Sequence, residues 1–253
     1  MIPRDIHITW KTKDRTAMPR WMPGYLQGWQ DLNPRHRLHL WDDQDCEELI
    51  RSEQENLRRD LGIDIVDLYH QLAKPVEKSD LWRYVVIYTR GGIYTDADTA
   101  CLSPCDEWIL PEDRALVGFE SFKIEHPTQY CQWTFAAEPG HPFLGLLLQR
   151  VARAIHDVTG DGSKATLQRT GPLVFTDALI EFVNAGGDRF LDVAGKDATV
   201  SEGLRLLNKK AFCGGFVYHR FAGTWKHWLQ RPGVLWRAIH TGRSKPWKKT
   251  SAI

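Results

Sequence analysis

The chain has 253 residues, 42% hydrophobic and 26% charged with 13 prolines, a length and mix that bury a real core and exclude a disordered polymer or a disulfide-stapled mini-protein. No stretch approaches the roughly 20 apolar residues that span a bilayer, and Arg4-Asp5 followed directly by a strand-like run gives no signal peptide, so a targeting segment is expected to be absent or removed. The net charge of +1 hides a division: from Gly203 onward there are 11 Lys or Arg and no acid, which leaves 22 basic against 32 acidic residues before it.

In chain order, Arg4–Trp10 alternates and carries Ile6, Ile8 and Thr9, which predicts a first strand. Helical material follows over Trp21–Leu32, and Asn33-Pro34 gives a turn. Arg37–Trp41 then alternates as a second strand into Asp42-Asp43, which are good N-caps for a helix over Cys46–Arg51. This β-α-β-α opening argues for an α/β sheet. Val76–Arg90 is the clearest helix, with Leu81, Val85 and Tyr88 as a buried stripe and Gly91-Gly92 as a left-handed stop. Ile93–Thr95 reads as a short strand, and Ala115–Phe119 and Tyr130–Ala137 as further strands. Pro142–Asp157 and Leu173–Asn184 read as helices, and the aromatic, Gly-rich Phe212–Phe221 as strand or loop. With no repeat, low-complexity tract or Gly/Ser linker, the expectation is one domain over 1–240 and a basic tail over 241–253.

The five cysteines are scattered without a Cys-x-x-Cys pair, which gives neither a zinc ribbon nor a thioredoxin motif. A Cys101–Cys105 bridge in an oxidising lumen stands open beside the reading of buried thiols.

The chemistry centres on Gly91-Gly92-Ile93-Tyr94-Thr95-Asp96-Ala97-Asp98. In extended backbone, residues i and i+2 face the same way, so Asp96 and Asp98 can present two carboxylates at a strand end. Hard oxygen ligands at that spacing suit Mn²⁺ or Mg²⁺, with positions left for phosphate oxygens. Taken alone, such a pair reads as a solvated turn sooner than as a metal site. Its context is a helix with Asp80 and Arg83 on one face, which by itself is an ordinary i, i+3 ion pair.

These residues carry a family resemblance. Lys78-Ser79-Asp80-Leu81-Trp82-Arg83-Tyr84, Gly91-Gly92-Ile93-Tyr94 and Asp96-x-Asp98 together resemble the sugar-binding region of family 32 glycosyltransferases, which contains the Asp-x-Asp motif. Ile2-Pro3-x-x-Ile6-His7-x-x-Trp10 and Leu40-Trp41-Asp42-Asp43 resemble that family's first two strands. Cys131-Gln132-Trp133-Thr134, Thr170-Gly171-Pro172 and His219-x-x-x-Gly223-Thr224-Trp225 resemble its fungal initiating α-1,6-mannosyltransferase branch. The resemblance runs from about Ile2 to Trp228, with Thr95 where an aliphatic residue is usual and Thr224 where Ser is usual.

The resemblance implies a GT-A fold: one Rossmann-like α/β domain with a mixed sheet flanked by helices. It also implies a retaining, metal-dependent transfer of mannose from GDP-mannose to a glycan hydroxyl. Asp80 and Arg83 would contact ribose and sugar, and Asp96 would bind donor hydroxyls or the metal through water. Asp98 would ligate the metal, with His219 as a further ligand and Trp225 closing over the donor. Tyr84, Tyr94, Trp10, Thr170 and Gly171 sit in the same motifs and are expected on the substrate side. Arg220 and Lys226, in the acid-free segment, could lie beside the phosphates. Trp133 is a candidate for stacking on a sugar. His7 reads either as lining the nucleotide pocket or as a satisfied core histidine, and Asp177 or Glu138 either as a carboxylate nucleophile or as a structural acceptor. By resemblance the compartment is the Golgi lumen, while a chain without an anchor leaves the cytoplasm open.

Two other readings compete. Asp96-Ala97-Asp98-Thr99 imitates the nucleophile motif of haloacid-dehalogenase-like phosphatases, and 11 tryptophans with a basic tail suit a non-catalytic carbohydrate-binding module. Nucleic acid fits poorly as a partner, because the acidic first 202 residues repel phosphate backbones.

Overall fold

The computed structural model describes residues 1–121 and 128–222. The chain divides into two units, Met1–Arg220 and Phe221–Ile253, and every element named here belongs to the first. In chain order these are β1 (Asp5–Thr9), α1 (Met22–Leu32), β2 (Arg37–Trp41), α2 (Asp43–Ser52), α3 (Gln54–Leu61), α4 (Ile65–Gln71), α5 (Pro75–Arg90), β3 (Gly92–Thr95) and β4 (Thr99–Cys101). There follow α6 (Cys105–Trp108), β5 (Ala115–Ser121), β6 (Gln129–Ala137), α7 (Pro142–Asp157), α8 (Ser163–Arg169), α9 (Pro172–Ala185), α10 (Phe190–Val193), β7 (Ala198–Thr199), β8 (Leu204–Leu207) and β9 (Val217–His219).

Seven strands form one mixed sheet in the order β2-β1-β3-β6-β5-β8-β7, and β4 and β9 form a separate antiparallel pair. β1 runs parallel to β2 and β3, while β6 is antiparallel to β3 and β5. Strand alternation sorts the side chains into two layers of core. Tyr94, Val117 and Phe135 face one layer with α5, α7 and α9. Their neighbours Ile93, Leu116 and Ala136 face the other, with Met22, Leu26 and Trp29 of α1. Helices therefore cover both faces, the three-layer α/β arrangement expected from the opening of the chain.

Local chemistry sets the ends of the elements that matter for the site. Asp42 caps α2 in a reciprocal box, its side chain accepting from the Asp45 amide at 3.0 Å while Asp45 accepts from the Asp42 amide at 2.9 Å. α5 starts with Pro75 in its first turn and stops at Gly91, whose φ of 69° and ψ of −165° lie in a region that only glycine populates readily. This refines the expected left-handed stop: φ is positive, as that stop requires, but the ψ lies outside the αL region and carries the chain away from the helix. At Gly92, with φ of 95°, a Cβ would sit 2.5 Å from the Asp5 carbonyl oxygen. The glycine pair thus lets the chain turn from helix to sheet and press against β1, which sets where Asp96 emerges.

The stripe expected on α5 is corrected. Leu81, Val85 and their apolar neighbours are buried, but so are Glu77, Asp80 and Arg83, and Tyr88 is only partly covered. The helix is enclosed nearly all round, and its charges survive because each has a partner. Glu77, for example, meets Arg169 at 2.8 Å and the Thr166 hydroxyl at 2.8 Å. All five cysteines are free thiols, so no Cys101–Cys105 bridge is present.

Candidate active site

β3 ends at Thr95, and Asp96-Ala97-Asp98 turn back into β4, the Thr99 amide closing the turn on the Asp96 carbonyl at 3.1 Å. β4 pairs with β9 so that Thr99 lies opposite His219. This pairing carries a histidine from the far end of the chain to the two carboxylates. His219 Nε2 lies 3.4 Å from Asp96 Oδ2 and 3.1 Å from Asp98 Oδ1. One donor atom from each of the three residues falls within 4.8 Å of the others, and theirs is the one such His, Cys, Asp and Glu group among the described residues. A cation about 2.1 Å from each ligand would separate adjacent ligands by about 3.0 Å. Two carboxylate oxygens and an imidazole at these spacings therefore fit a divalent ion, and the imidazole suits Mn²⁺. The Asp96 and Asp98 side chains remain 25% and 15% exposed, so the cluster has an open side.

The other oxygen of Asp96 faces inward. It accepts from the Tyr94 hydroxyl at 2.6 Å and lies 3.4 Å from Arg83 Nη1. Arg83 is buried beneath it, with Nη2 2.9 Å from Asp80 Oδ1, Nη1 donating to the Gln132 carbonyl at 3.2 Å, and the guanidinium 4.6 Å above the Tyr94 ring. Asp80 accepts further from Thr170 Oγ1 at 3.1 Å and Gln132 Nε2 at 3.3 Å. The Tyr84 hydroxyl donates to the Thr170 carbonyl at 2.8 Å and also touches the Gln132 side chain. One arginine thus sits between two acids, and the network fixes which oxygen of Asp96 points outward.

The electrostatics follow from burial and these pairings. Burial pushes the Asp80 carboxyl up to about 7 against the pull of Arg83. For Asp96, burial also works upward, but Arg83, His219 and Tyr94 outweigh it and hold the group below the usual carboxylate range. Burial works downward on His219, and the two carboxylates overcome it to raise the imidazole to about 9.

A prediction arises for the metal-free protein. Because the folded His219 pKa of about 9 exceeds the ordinary value of 6.5, its contribution is complete below pH 6.5 and is lost as pH rises through 9. The loss is on the order of 3 kcal/mol. Thermal melts in EDTA are expected to fall in midpoint between pH 6.5 and 9, and His219→Ala to flatten that slope. A wild-type slope equal to that of the variant would contradict the pairing.

Several expected residues stand elsewhere. His7 is buried with both ring nitrogens engaged, Nε2 with the Gly91 carbonyl at 3.2 Å and Nδ1 accepting from Trp41 Nε1 at 3.2 Å. It takes the core reading. Trp133 is buried with its ring centroid 4.7 Å from that of His219, so it packs beside the histidine of the cluster. Trp10 is partly buried at the end of β1, its amide donating to the Trp41 carbonyl. Gly171 caps α9 where a Cβ would lie 2.8 Å from Leu167 Cα, so its size serves the contact with α8. The Arg220 amide donates to the Asp98 carbonyl at 2.9 Å, and its guanidinium lies 5.3 Å over Trp21. Trp225 and Lys226 lie outside the described residues. Glu138 binds Arg114 Nε at 2.6 Å and the N-terminal amine at 2.7 Å, at the opposite end of β3 from Asp96, and Asp177 is exposed on α9. The nucleophile reading therefore gains nothing from Glu138, which is the structural acceptor. Sequence reasoning passed over Gln132 as a site residue, although a glutamine inside a fully buried strand was a readable signal.

A cavity of about 250 Å³ lies against α5. Thr9, Cys46, Lys78, Ser79 and Trp82 line it, and Trp82 is one ring contact from Tyr94, which holds Asp96.

Residues 19–115 match the family described as glycosyltransferase sugar-binding region containing DXD motif. An initiation-specific alpha-1,6-mannosyltransferase of Candida albicans is 31% identical over 211 residues, 72% of this chain and 53% of the relative. Its counterpart in Schizosaccharomyces pombe is 28% identical over 255 residues, covering 87% and 63%. A mannosyl phosphorylinositol ceramide synthase of Saccharomyces cerevisiae is 28% identical over 144 residues, 56% of this chain and 33% of that one. The chain spans between 53% and 63% of the length of the first two relatives. Among solved structures, the PaToxG glycosyltransferase superposes with a TM-score of 0.54 at 20% identity, covering 73% of this chain and 71% of that one. The fold is the GT-A fold of glycosyltransferases, which leaves the phosphatase reading without support.

Proposed function

We propose, from the chain's membership of the glycosyltransferases whose sugar-binding region contains the Asp-x-Asp motif, that it moves mannose from GDP-mannose onto a glycan hydroxyl with retention of configuration. The observation that carries this reading is the convergence of Asp96, Asp98 and His219 beside the buried Asp80–Arg83 pair at the carboxyl end of β3. Asp96 Oδ2, Asp98 Oδ1 and His219 Nε2 would hold Mn²⁺ or Mg²⁺, which when bound neutralises the charge that develops on a departing diphosphate. The residues do the rest. Tyr94 and Arg83 orient Asp96, and Arg83 adds a fixed positive charge in a site shielded from water. Asp80, held by Thr170 and Gln132, keeps Arg83 in place.

The cavity beside Trp82 would take the nucleoside. Lys78 and Ser79 offer donors there, and Asp43 and Glu47 offer acceptors, a set that complements the O6 acceptor and the N2 donor of guanine. No helix among the described residues is long and apolar enough to cross a membrane. The place of work this reading implies is the Golgi lumen, as the family resemblance suggests. Calorimetry with Mn²⁺ is expected to show GDP binding at least about tenfold more tightly than UDP, with EDTA removing most of the affinity, a tenfold change being about 1.4 kcal/mol. A screen with Mn²⁺ in which no nucleotide sugar is hydrolysed or transferred would overturn the proposal.

A further inference from the structure

We propose that Thr99, at the end of a buried chain of three threonine hydroxyls, is a positioning residue that fixes the Asp96–Asp98 turn and thereby the donor geometry of the cation site; the inference rests on the metal reading above.

The chain is read from distances and proton counts. Thr95, Thr99 and Thr134 are each no more than 1% exposed. Thr99 Oγ1 lies 2.6 Å from the Asp96 carbonyl oxygen, which can only accept, so the single hydroxyl proton of Thr99 goes there. Thr95 Oγ1 lies 2.7 Å from Thr99 Oγ1 and must therefore donate to it. Thr134 Oγ1 lies 2.8 Å from Thr95 Oγ1 and 2.8 Å from the Trp133 carbonyl, and its single proton is shared between these two acceptors. Thr95 thus donates to Thr99 and Thr99 to the Asp96 carbonyl, and such aligned bonds strengthen one another out of water.

Thr99 joins this chain to the rest of the site. Trp29 Nε1 of α1 lies 3.3 Å from its hydroxyl and 3.2 Å from its carbonyl, anchoring it from the opposite layer of the fold. Its amide closes the Asp96 turn at 3.1 Å, so the Asp96 carbonyl receives two hydrogen bonds from one residue. Its backbone pairs with His219. One side chain and its backbone thus fix the Asp96–Ala97 peptide through its carbonyl, the Asp98–Thr99 peptide through the Thr99 amide, and the strand that brings the imidazole. Thr95, where an aliphatic side chain is usual in the family resemblance, is what links Thr99 to β6.

The test is a Mn²⁺ titration of the full chain without nucleotide, read as free Mn²⁺ by electron paramagnetic resonance, alongside the melting temperature in EDTA. Thr99→Val keeps the shape and removes the proton. It is expected to weaken Mn²⁺ binding by about tenfold or more, the range seen when outer-shell partners of a metal site are removed. Thr99→Ser, which restores the proton, is expected to return the affinity to near the wild-type value. Thr95→Val, which leaves the bond from Thr99 to Asp96 in place, is expected to show a smaller loss. Wild-type Mn²⁺ affinity in Thr99→Val, even with a lowered melting temperature, overturns the positioning role and makes the residue merely structural. If Thr99→Val does not fold, Thr95→Val carries the test, and an affinity equal to wild type overturns the proposal. Failure of the wild-type chain itself to bind Mn²⁺ overturns the metal reading, and this inference with it.

Discussion

Asp98→Ala is expected to reduce transfer by at least about a hundredfold, the scale of losing one electrostatic stabiliser of a transition state, while leaving the fold in place. Asp98 Oδ1 is 3.1 Å from His219 Nε2, so its removal strips one of the three donors and half of the acid pair that faces the imidazole. The backbone at that position is held independently, because the Asp98 carbonyl accepts from the Arg220 amide at 2.9 Å and the turn closes through Thr99. The substitution should therefore move Mn²⁺ affinity and turnover together, with a melting temperature in EDTA close to that of the wild type above pH 9, where the His219 pairing no longer contributes. Nucleotide affinity measured without metal should change little. Mn²⁺-dependent turnover within a few-fold of wild type would remove Asp98 from the cation site.

Arg83→Leu has the largest expected effect on stability. Its guanidinium lies 2.9 Å from Asp80 and 3.4 Å from Asp96, and both Arg83 and Asp80 are almost wholly buried. Deleting one partner of such a group leaves uncompensated charge in a dry interior, a loss of about 3–5 kcal/mol. The sign of its pH dependence follows. With Arg83 gone, the folded pKa of Asp80 rises further above its unfolded value and that of Asp96 rises from its lowered position, so the variant gains stability relative to wild type as pH falls and the carboxylates protonate. Urea denaturation at pH 5 and pH 8 reads this directly, with the deficit larger at pH 8. Asp80→Asn in the same background should recover part of the loss by removing one of the stranded charges. A single Arg83→Leu variant within 1 kcal/mol of wild type at pH 8 would contradict the assignment.

What the sequence disclosed and what it withheld differ in range along the chain. Arg37–Trp41 and Pro142–Asp157 are strand and helix with the bounds their patterns predict, because alternation and a proline start are local signals. The carboxylate pair and the Asp80–Arg83 face were legible for the same reason. Five helices were not: Cys105–Trp108, Ser163–Arg169 and Phe190–Val193 are too short to show a period, and in Gln54–Leu61, followed by Ile65–Gln71, Arg58, Arg59 and Asp60 dilute it and leave only Leu57 buried in the longer one. The short strands Thr99–Cys101 and Leu204–Leu207 give too few residues for a pattern. The burial of Glu77, Asp80 and Arg83 escaped because their partners, Arg169, Thr170 and Gln132, come from other elements. Nothing near His7 in sequence shows that Gly91 and Trp41 will satisfy both its nitrogens. His219 was singled out through a family motif, but its meeting with Asp96 and Asp98 depends on the pairing of β4 with β9, which no local spacing reveals.

That pairing also sets an order of events during synthesis. The last strand of the seven-stranded sheet ends at Leu207, whereas Val217–His219 follows it and joins only β4. A polypeptide growing from its N-terminus, at about 5–20 residues per second, can close its main sheet while the acid pair still waits for its imidazole. A nascent chain can therefore gain its scaffold before its three-donor cluster, and one cut short before Val217 would keep the seven-stranded sheet and lose His219.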